Sequence, residues 1–173
     1  MKYALISVFD KNELIEFVEK LIGNGYKILA SGGTYKVIQE SGIEVMEVAE
    51  FTQSPELFDG RVKTLNPKIH GGILYKRDNA KHLDQLINEG LVSIDMVVCN
   101  LYPFEETYRN ESPHSTIIEN IDIGGPSMIR AAAKNYQDVC VVVDPQDYLE
   151  VIENHEDVNY RQILAAKAFQ LTA

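Results

Sequence analysis

Tryptophan is absent from this 173-residue chain, cysteine occurs twice and histidine four times. Two cysteines cannot build a disulfide framework. Cys99 and Cys140 both fall inside apolar strand-like runs, which predicts buried reduced thiols rather than a bridge or a metal pair. His70, His82, His114 and His155 show no metal-ligand spacing, and His82, His114 and His155 read as surface residues. Positive charge is scarce: 16 Lys and Arg stand against 26 Asp and Glu, a formal net charge of -10. With a sequence pI near 4.8, that balance argues against the basic face on which nucleic-acid binding depends. No apolar run approaches the ~20 residues that cross a bilayer. The first residues enter a strand pattern without a signal peptide's long apolar stretch and cleavage site. The expectation is a cytoplasmic protein with neither nucleic acid nor membrane as partner.

What remains is an ordinary globular composition, 45% apolar and 24% charged, long enough to bury one full core. Short apolar runs alternate with helical periodicity. Tyr3–Phe9 predicts a strand buried on both faces. Asp10 with Glu13 three residues on forms a capping-box pattern, with Lys11 in the first turn of the helix that follows. Leu14, Ile15, Phe17, Val18, Leu21 and Ile22 repeat at helical spacing up to Gly23 and Gly25. A strand over Lys27–Ala30 leads through Ser31-Gly32-Gly33-Thr34 into a helix ending near Gly42, and a short strand lies around Glu44–Val48. Leu83, Leu86 and Ile87 mark a further amphipathic helix. The strand Met96–Cys99, a helix over Ser127–Lys134, the strand Val139–Val143 and a helix opened by Asp144-Pro145 complete the pattern. Alternating strands and helices, with nearly all-apolar strands, imply a mainly parallel sheet between helical layers. The segment from Ala49 to Lys81 has little periodicity, and a loop of that length in a compact domain is usually functional. Tyr160–Ala173 reads as a helix that stops without a cap, as a longer chain interrupted at a domain boundary would, or equally as a plain C-terminal helix.

In an open parallel sheet ligands bind at the carboxyl ends of the strands. Ser7, the Ser31–Thr34 turn and Asn100–Tyr102 all fall there. Two glycines at a strand-to-helix turn allow close approach of an anion to free helix N–H groups. Arg61 and Lys63, concentrated in one short loop of an acidic chain, suggest a local anion site. Tyr102 should stand over the sheet edge, and Asp122 precedes a Gly-Gly-Pro helix start. Taken singly, each has a plainer role: a solvated loop charge, a packed aromatic, a helix cap, or, for Lys134, a cation favoured at a helix C-terminus.

Three strings change that balance: Arg61-Val62-Lys63-Thr64-Leu65-Asn66-Pro67, Cys99-Asn100-Leu101-Tyr102-Pro103-Phe104, and Ile121-Asp122-Ile123-Gly124-Gly125-Pro126 running on to Lys134. Together they resemble the IMP cyclohydrolase domain of the bifunctional purine biosynthesis protein, across the whole chain and in order. The resemblance implies an α/β fold of methylglyoxal synthase-like type, a three-layer sandwich. It also implies a cyclohydrolase domain over 1–159 and, over 160–173, the start of a helical linker toward a transformylase domain. No transformylase motif is present. The full-length family protein is expected to be a homodimer.

The implied reaction closes the six-membered purine ring. The carboxamide nitrogen of 5-formamido-imidazole-4-carboxamide ribotide attacks the formyl carbon, and loss of water gives inosine 5′-monophosphate. Such a step needs a proton acceptor, a proton donor and fixed positive charge, and no metal or redox cofactor. By resemblance Lys63, Tyr102, Asp122 and Lys134 form the catalytic set. Asp122 fits the base, Lys134 acting through Tyr102 fits the donor, and Lys63 fits the electrostatic stabiliser; exchanging the two lysines contradicts no residue. The phosphate falls among Lys11, Ser31, Gly32, Gly33, Thr34, Arg61 and Thr64. Asn100 and Ile123 contact the base or ribose, and Ser7, Phe9, Asp10, Val62, Cys99, Gly124 and Gly125 complete the binding set.

Two positions depart from the family pattern. Phe9 stands where a small hydroxyl residue is usual, and Asn66 where a histidine is usual. A helix from Gly125 to Lys134 would be ~14 Å long, so Asp122 and Lys134 meet only if the Ile121–Gly125 turn folds back over it. A methylglyoxal synthase would use the same phosphate turn, but the aspartate-rich Gly-Gly-Asp loop of that family is missing. A non-catalytic nucleotide-sensing module would have no need of Lys63, Tyr102 and Lys134 together.

Overall fold

The computed structural model describes residues 2–102, 104–110 and 113–173; Pro103, within one of the three diagnostic strings, lies outside them. Five strands, β1 (Lys2–Ser7), β2 (Tyr26–Ala30), β3 (Met46–Glu47), β4 (Met96–Cys99) and β5 (Cys140–Val142), form one sheet in the order β3-β2-β1-β4-β5. Every pairing is parallel. Ala4, Leu5 and Ile6 of β1 and all four residues of β4 are buried on both faces, as an unbroken apolar run requires. Each such Leu or Ile contributes ~1.5–3 kcal/mol by leaving water.

The crossover through α1 (Leu14–Gly23) and that through α2 (Gly32–Glu40) run outward from β1 in one direction. The crossover from β4 to β5, which contains α6 (Phe104–Arg109), α7 (His114–Glu119) and α8 (Gly124–Lys134), runs the other way. Right-handed crossovers in opposite directions put α1 and α2 on one face and α8 on the other. A 3-10 turn (Pro145–Asp147) leads into α9 (Tyr148–Asn154), which packs on α1 and stacks Tyr148 on Phe17 with ring centroids 4.0 Å apart. Helix α10 (Val158–Leu171) packs on β5 and α8, burying Leu164, Ala165 and Ala168. The strand order reverses between β1 and β4, and that switch point opens the crevice described below. Among the described residues, no helix is long and apolar enough to cross a membrane.

Several local expectations are revised. The aperiodic segment 49–81 carries α3 (Val48–Thr52), an isolated bridge between Leu57 and Val62, α4 (Pro67–Leu74) and the start of α5 (Ala80–Asn88). α3 is only five residues long and α4 eight, too short to show a period. The capping box does not form. Glu13 takes a left-handed backbone with φ 57° and makes no side-chain cap, while the Asp10 carboxylate accepts from the Asn12 N–H at 2.9 Å. Helix α1 therefore starts at Leu14, and Lys11 belongs to the loop before it. His155 is buried rather than on the surface: its Nδ1 lies 3.1 Å from the Val151 carbonyl and its ring meets Tyr26 edge-on. The end of α9 supplies the acceptor that a buried imidazole needs. Asn66 proves to be the N-cap of α4, accepting from the Lys68 N–H at 2.8 Å ahead of Pro67, a role to which asparagine is well suited.

Candidate active site

Beyond the carboxyl ends of β1, β2 and β4 lies a cavity of about 600 Å³. Its floor follows from strand register. Ser7 ends β1 and Ala30 ends β2, so the next turn, Ser31–Thr34, lies beside Val8. Ser7 Oγ and Ser31 Oγ are 3.1 Å apart. Thr34 Oγ1 accepts from the Val8 N–H and donates to the Val8 carbonyl, each at 3.0 Å. That hydroxyl is thus occupied in tying α2 to β1, and its role is positional. Ser31 caps nothing with its side chain and Gly32 adopts φ 53°. The first turn of α2 therefore opens its N–H groups toward the cavity, the geometry that suits an anion.

Above this turn stands Lys63. A Cβ placed on Gly32 would lie 3.2 Å from Lys63 Nζ, and one on Gly60 would lie 3.4 Å from it. At Gly32 the ammonium would have to give by a few tenths of an ångström and at Gly60 the contact is ordinary; it is the positive φ of both, 53° and 88°, that favours glycine there. Glu56 Oε1 is 3.9 Å from the same nitrogen. Arg61 turns to the rim, where its guanidinium bonds the Glu119 carboxylate, with Nε to Oε2 at 3.3 Å. Lys11 completes a third cationic corner, its Nζ held by the carbonyls of Val8 at 3.1 Å and Phe9 at 3.0 Å.

Opposite, α8 begins with two glycines for a steric reason. A Cβ on Gly124 would lie 2.5 Å from Thr64 Oγ1; one on Gly125 would lie 2.5 Å from Asp122 Oδ2 and 2.8 Å from Leu101. All three distances are too short for a side chain, so the pair lets the Arg61–Thr64 loop and Asp122 close onto the helix start. Asp122 Oδ1 accepts from the Gly125 N–H at 2.7 Å. The carboxylate is thus a helix cap and a cavity wall at once, with Oδ2 making no second cap bond. Asn100 is equally committed: its Oδ1 accepts from the N–H groups of Phe9 at 2.6 Å and Asp10 at 2.9 Å, and its Nδ2 donates to the Asp10 carbonyl at 3.0 Å. It fixes the loop after β1 to the loop after β4. Beside it the rings of Phe9 and Tyr102 meet at 5.5 Å between centroids.

Of the residues singled out from sequence, Ser7, Phe9, Lys11, Ser31, Gly32, Gly33 and Thr34 line this cavity, as do Arg61, Lys63, Thr64, Asn100, Tyr102, Asp122, Ile123, Gly124 and Gly125. Asp10, Val62, Cys99 and Lys134 do not. Asp10 faces its own turn, and Val62 pairs with Leu57. Cys99 is buried in β4, where burial and then the charge of Asp122 push its thiol far up from the ordinary range. Lys134 is exposed at the far end of α8. The Ile121–Gly125 turn does not fold back over the helix, because Asp122 is engaged at the first turn. Ile118 and Glu119, on an α7 too short to give a periodic signal, also line the cavity and were missed, as was Ile121 just beyond it. Among the described residues, no cluster of three His, Cys, Asp or Glu side chains is placed to hold a metal. The site combines a glycine turn at a helix N-terminus, lysine and arginine cations, a carboxylate and a phenol in one hollow, a set suited to proton transfer on an anionic molecule.

The MGS-like domain family matches residues 13–127, and the AICARFT/IMPCHase bienzyme family matches residues 132–173. The bifunctional purine biosynthesis protein PurH of Oceanobacillus iheyensis is 54% identical over 99% of the chain, and that of Clostridioides difficile is 51% identical over 99%. The chain covers only 35% and 34% of those two proteins, about a third of their length. Among solved structures, ForH superposes with a TM-score of 0.84 at 32% identity, over 99% of this chain and 93% of that one.

Proposed function

This chain belongs to the MGS-like domain family, and from that premise we propose that it is an IMP cyclohydrolase, closing the ring of 5-formamido-imidazole-4-carboxamide ribotide to give inosine 5′-monophosphate. The observation that carries the reading is the meeting of Lys63, Tyr102 and Asp122 with the Ser31–Thr34 anion turn in one cavity. The ribotide phosphate lies over the N-terminus of α2, with Lys11 and Arg61 beside it. The roles follow from what the step needs, a proton acceptor and positive charge. The free oxygen of Asp122 takes a proton from the carboxamide nitrogen as that nitrogen bonds to the formyl carbon. Negative charge develops on the formyl oxygen, and the Lys63 ammonium and the Tyr102 hydroxyl stabilise it. That oxygen leaves as water, with one proton from the carboxamide nitrogen and one from the formamido nitrogen, and a C=N bond is left behind.

The reading is tested by supplying the formamido ribotide to the purified chain and following IMP formation by absorbance; no turnover under any condition would end it. On the binding side, the rim cation should act on affinity. Arg61→Ala is expected to raise KM about tenfold and leave kcat nearly unchanged, since a charge-assisted bond to the phosphate is lost while solvent screening of the exposed guanidinium keeps the effect from being larger. The dephosphorylated nucleoside should bind far more weakly than the nucleotide; equal binding would show that the phosphate lies elsewhere.

Lys134 is left outside this assignment. Lys134→Ala should keep turnover within about threefold of the parent and cost ~0.3–1 kcal/mol of stability, the value of a cation at a helix C-terminus. A hundredfold loss of kcat would return the lysine to the chemistry, delivered by a second copy of the chain. The reading extends to a homodimer of the full-length protein, for which the exposed Phe58 and Tyr108 argue. It also includes a cytoplasmic location, for which two free thiols argue. Residues 1–159 are taken as the cyclohydrolase domain and 160–173 as the start of a helical connection.

A further inference from the structure

Phe9 occupies a position where the family resemblance implies a small hydroxyl residue, and its ring is not part of the core. It follows the end of β1, and Tyr102 follows the end of β4; Ser7 and Cys99, which close those strands, are register partners. The two rings lie 5.5 Å apart between centroids at an interplanar angle of 57°. Both line the cavity, and both remain about half exposed, Phe9 at 49% and Tyr102 at 47%. The loops that carry them are tied by Asn100, which bonds the Phe9 and Asp10 backbone at 2.6 to 3.0 Å.

We propose that Phe9 is a positioning residue: its ring is the wall that holds the Tyr102 ring, and with it the phenolic oxygen, over the cavity. The proposal rests on the cyclohydrolase reading above. A half-exposed tyrosine on a loop exchanges rotamers freely, and each swing of the ring carries the hydroxyl away from the reacting oxygen. A tilted partner ring favours one of those rotamers, because its electron-rich face meets the other ring's edge. The backbone of Phe9 is held by Asn100 whatever side chain it carries, so the side chain can be changed without releasing the loop. Phe9 itself needs no contact with the substrate. Its effect should therefore appear in kcat, where Tyr102 acts, and not in the phosphate-dependent KM.

The test is a double-mutant cycle on the ribotide reaction, with melting temperature followed in parallel. Phe9→Ala is expected to lower kcat about three- to tenfold, the range that a pair of this geometry carries, with KM within about twofold of the parent. Phe9→Tyr, which restores a ring, should recover most of that loss. On a Tyr102→Phe background, Phe9→Ala should cost nothing further, since the hydroxyl it positions is gone. An equal loss on both backgrounds, or an unchanged kcat in Phe9→Ala, would overturn the positioning role and leave the cyclohydrolase reading intact. A parent chain with no turnover would overturn that reading, and the positioning role with it. If Phe9→Ala unfolds the chain, Phe9→Leu replaces it: apolar bulk without a ring should reproduce the kcat loss, and a leucine enzyme at full rate would overturn the proposal.

Discussion

Asp122→Asn is expected to lower turnover at least ~100-fold, the lower bound for losing a positioned general base, while the protein stays as stable as the parent. Two functions meet in this side chain, and asparagine separates them. The Asp122 Oδ1 bond to the Gly125 N–H, at 2.7 Å, starts α8. An asparagine Oδ1 accepts that bond equally well, because asparagine and aspartate cap helices with similar strength. What asparagine cannot do is take up a proton. Asp122→Ala removes both functions and should add a stability loss of ~0.5–2 kcal/mol to the same fall in rate. Binding of IMP should change far less than kcat in either variant, since the proposed phosphate turn, Ser31–Thr34, lies at the opposite wall. Steady-state kinetics and thermal unfolding on the two variants give the comparison. An asparagine enzyme with near-parent kcat would show that Asp122 is only a cap, and the base would then have to be sought elsewhere in the cavity.

The sheet was legible because buried parallel strands are short, apolar and bounded by turn residues; Met96–Cys99 was read with the bounds that the structure has. The convergence of Ser7, Ser31–Thr34 and Asn100–Tyr102 was legible too, since topology alone carries strand ends to one edge. What escaped was mostly the assignment of individual hydrogen bonds. Sequence offers Thr34 as a phosphate donor, whereas the fold uses its hydroxyl on both polar groups of Val8. Sequence offers Asn100 to the ligand, whereas three of its bonds go to the Phe9–Asp10 backbone. Both outcomes follow from the same requirement. A loop at a sheet edge leaves backbone groups that must be paired, and the nearest hydroxyl or amide takes them.

Lys134 illustrates a different limit. Its distance from Asp122 was calculable from helix rise, and the unknown was whether the turn before α8 folded back. The answer depended on the bond from the Gly125 N–H to Asp122, which draws that turn into the helix instead. Likewise α7 has six residues and no periodic stripe, so Glu119, the partner of Arg61, could not be anticipated. The steric role of the Gly124-Gly125 pair was hidden for a related reason. The positions of Thr64 and Leu101, residues remote in sequence, together with the inward turn of Asp122, show why no side chain fits there.

Lys63→Met should produce the other large effect, a fall of ~10²–10³ in kcat, the cost of removing a preorganised charge from a developing oxyanion. Methionine keeps most of the apolar stem, so the packing of the Gly60–Thr64 loop should survive and the loss should be one of charge. The ammonium packs close to the backbone of Gly32, where a Cβ would fall 3.2 Å from it. That crowding makes Lys63→Arg informative. Arginine retains the charge but spreads it over a planar fork that needs more room and does not give up its proton. The arginine enzyme is therefore expected to recover only a small part of the rate. Glu56, 3.9 Å from the ammonium, provides the control. Glu56→Gln removes the neighbouring negative charge without entering the cavity, and it should leave kcat at or slightly above the parent value if Lys63 works by field rather than by proton transfer. A full recovery in Lys63→Arg would confirm that positive charge alone is required at this point. A Lys63→Met enzyme with near-parent kcat and a raised KM would move Lys63 from the chemistry to the phosphate.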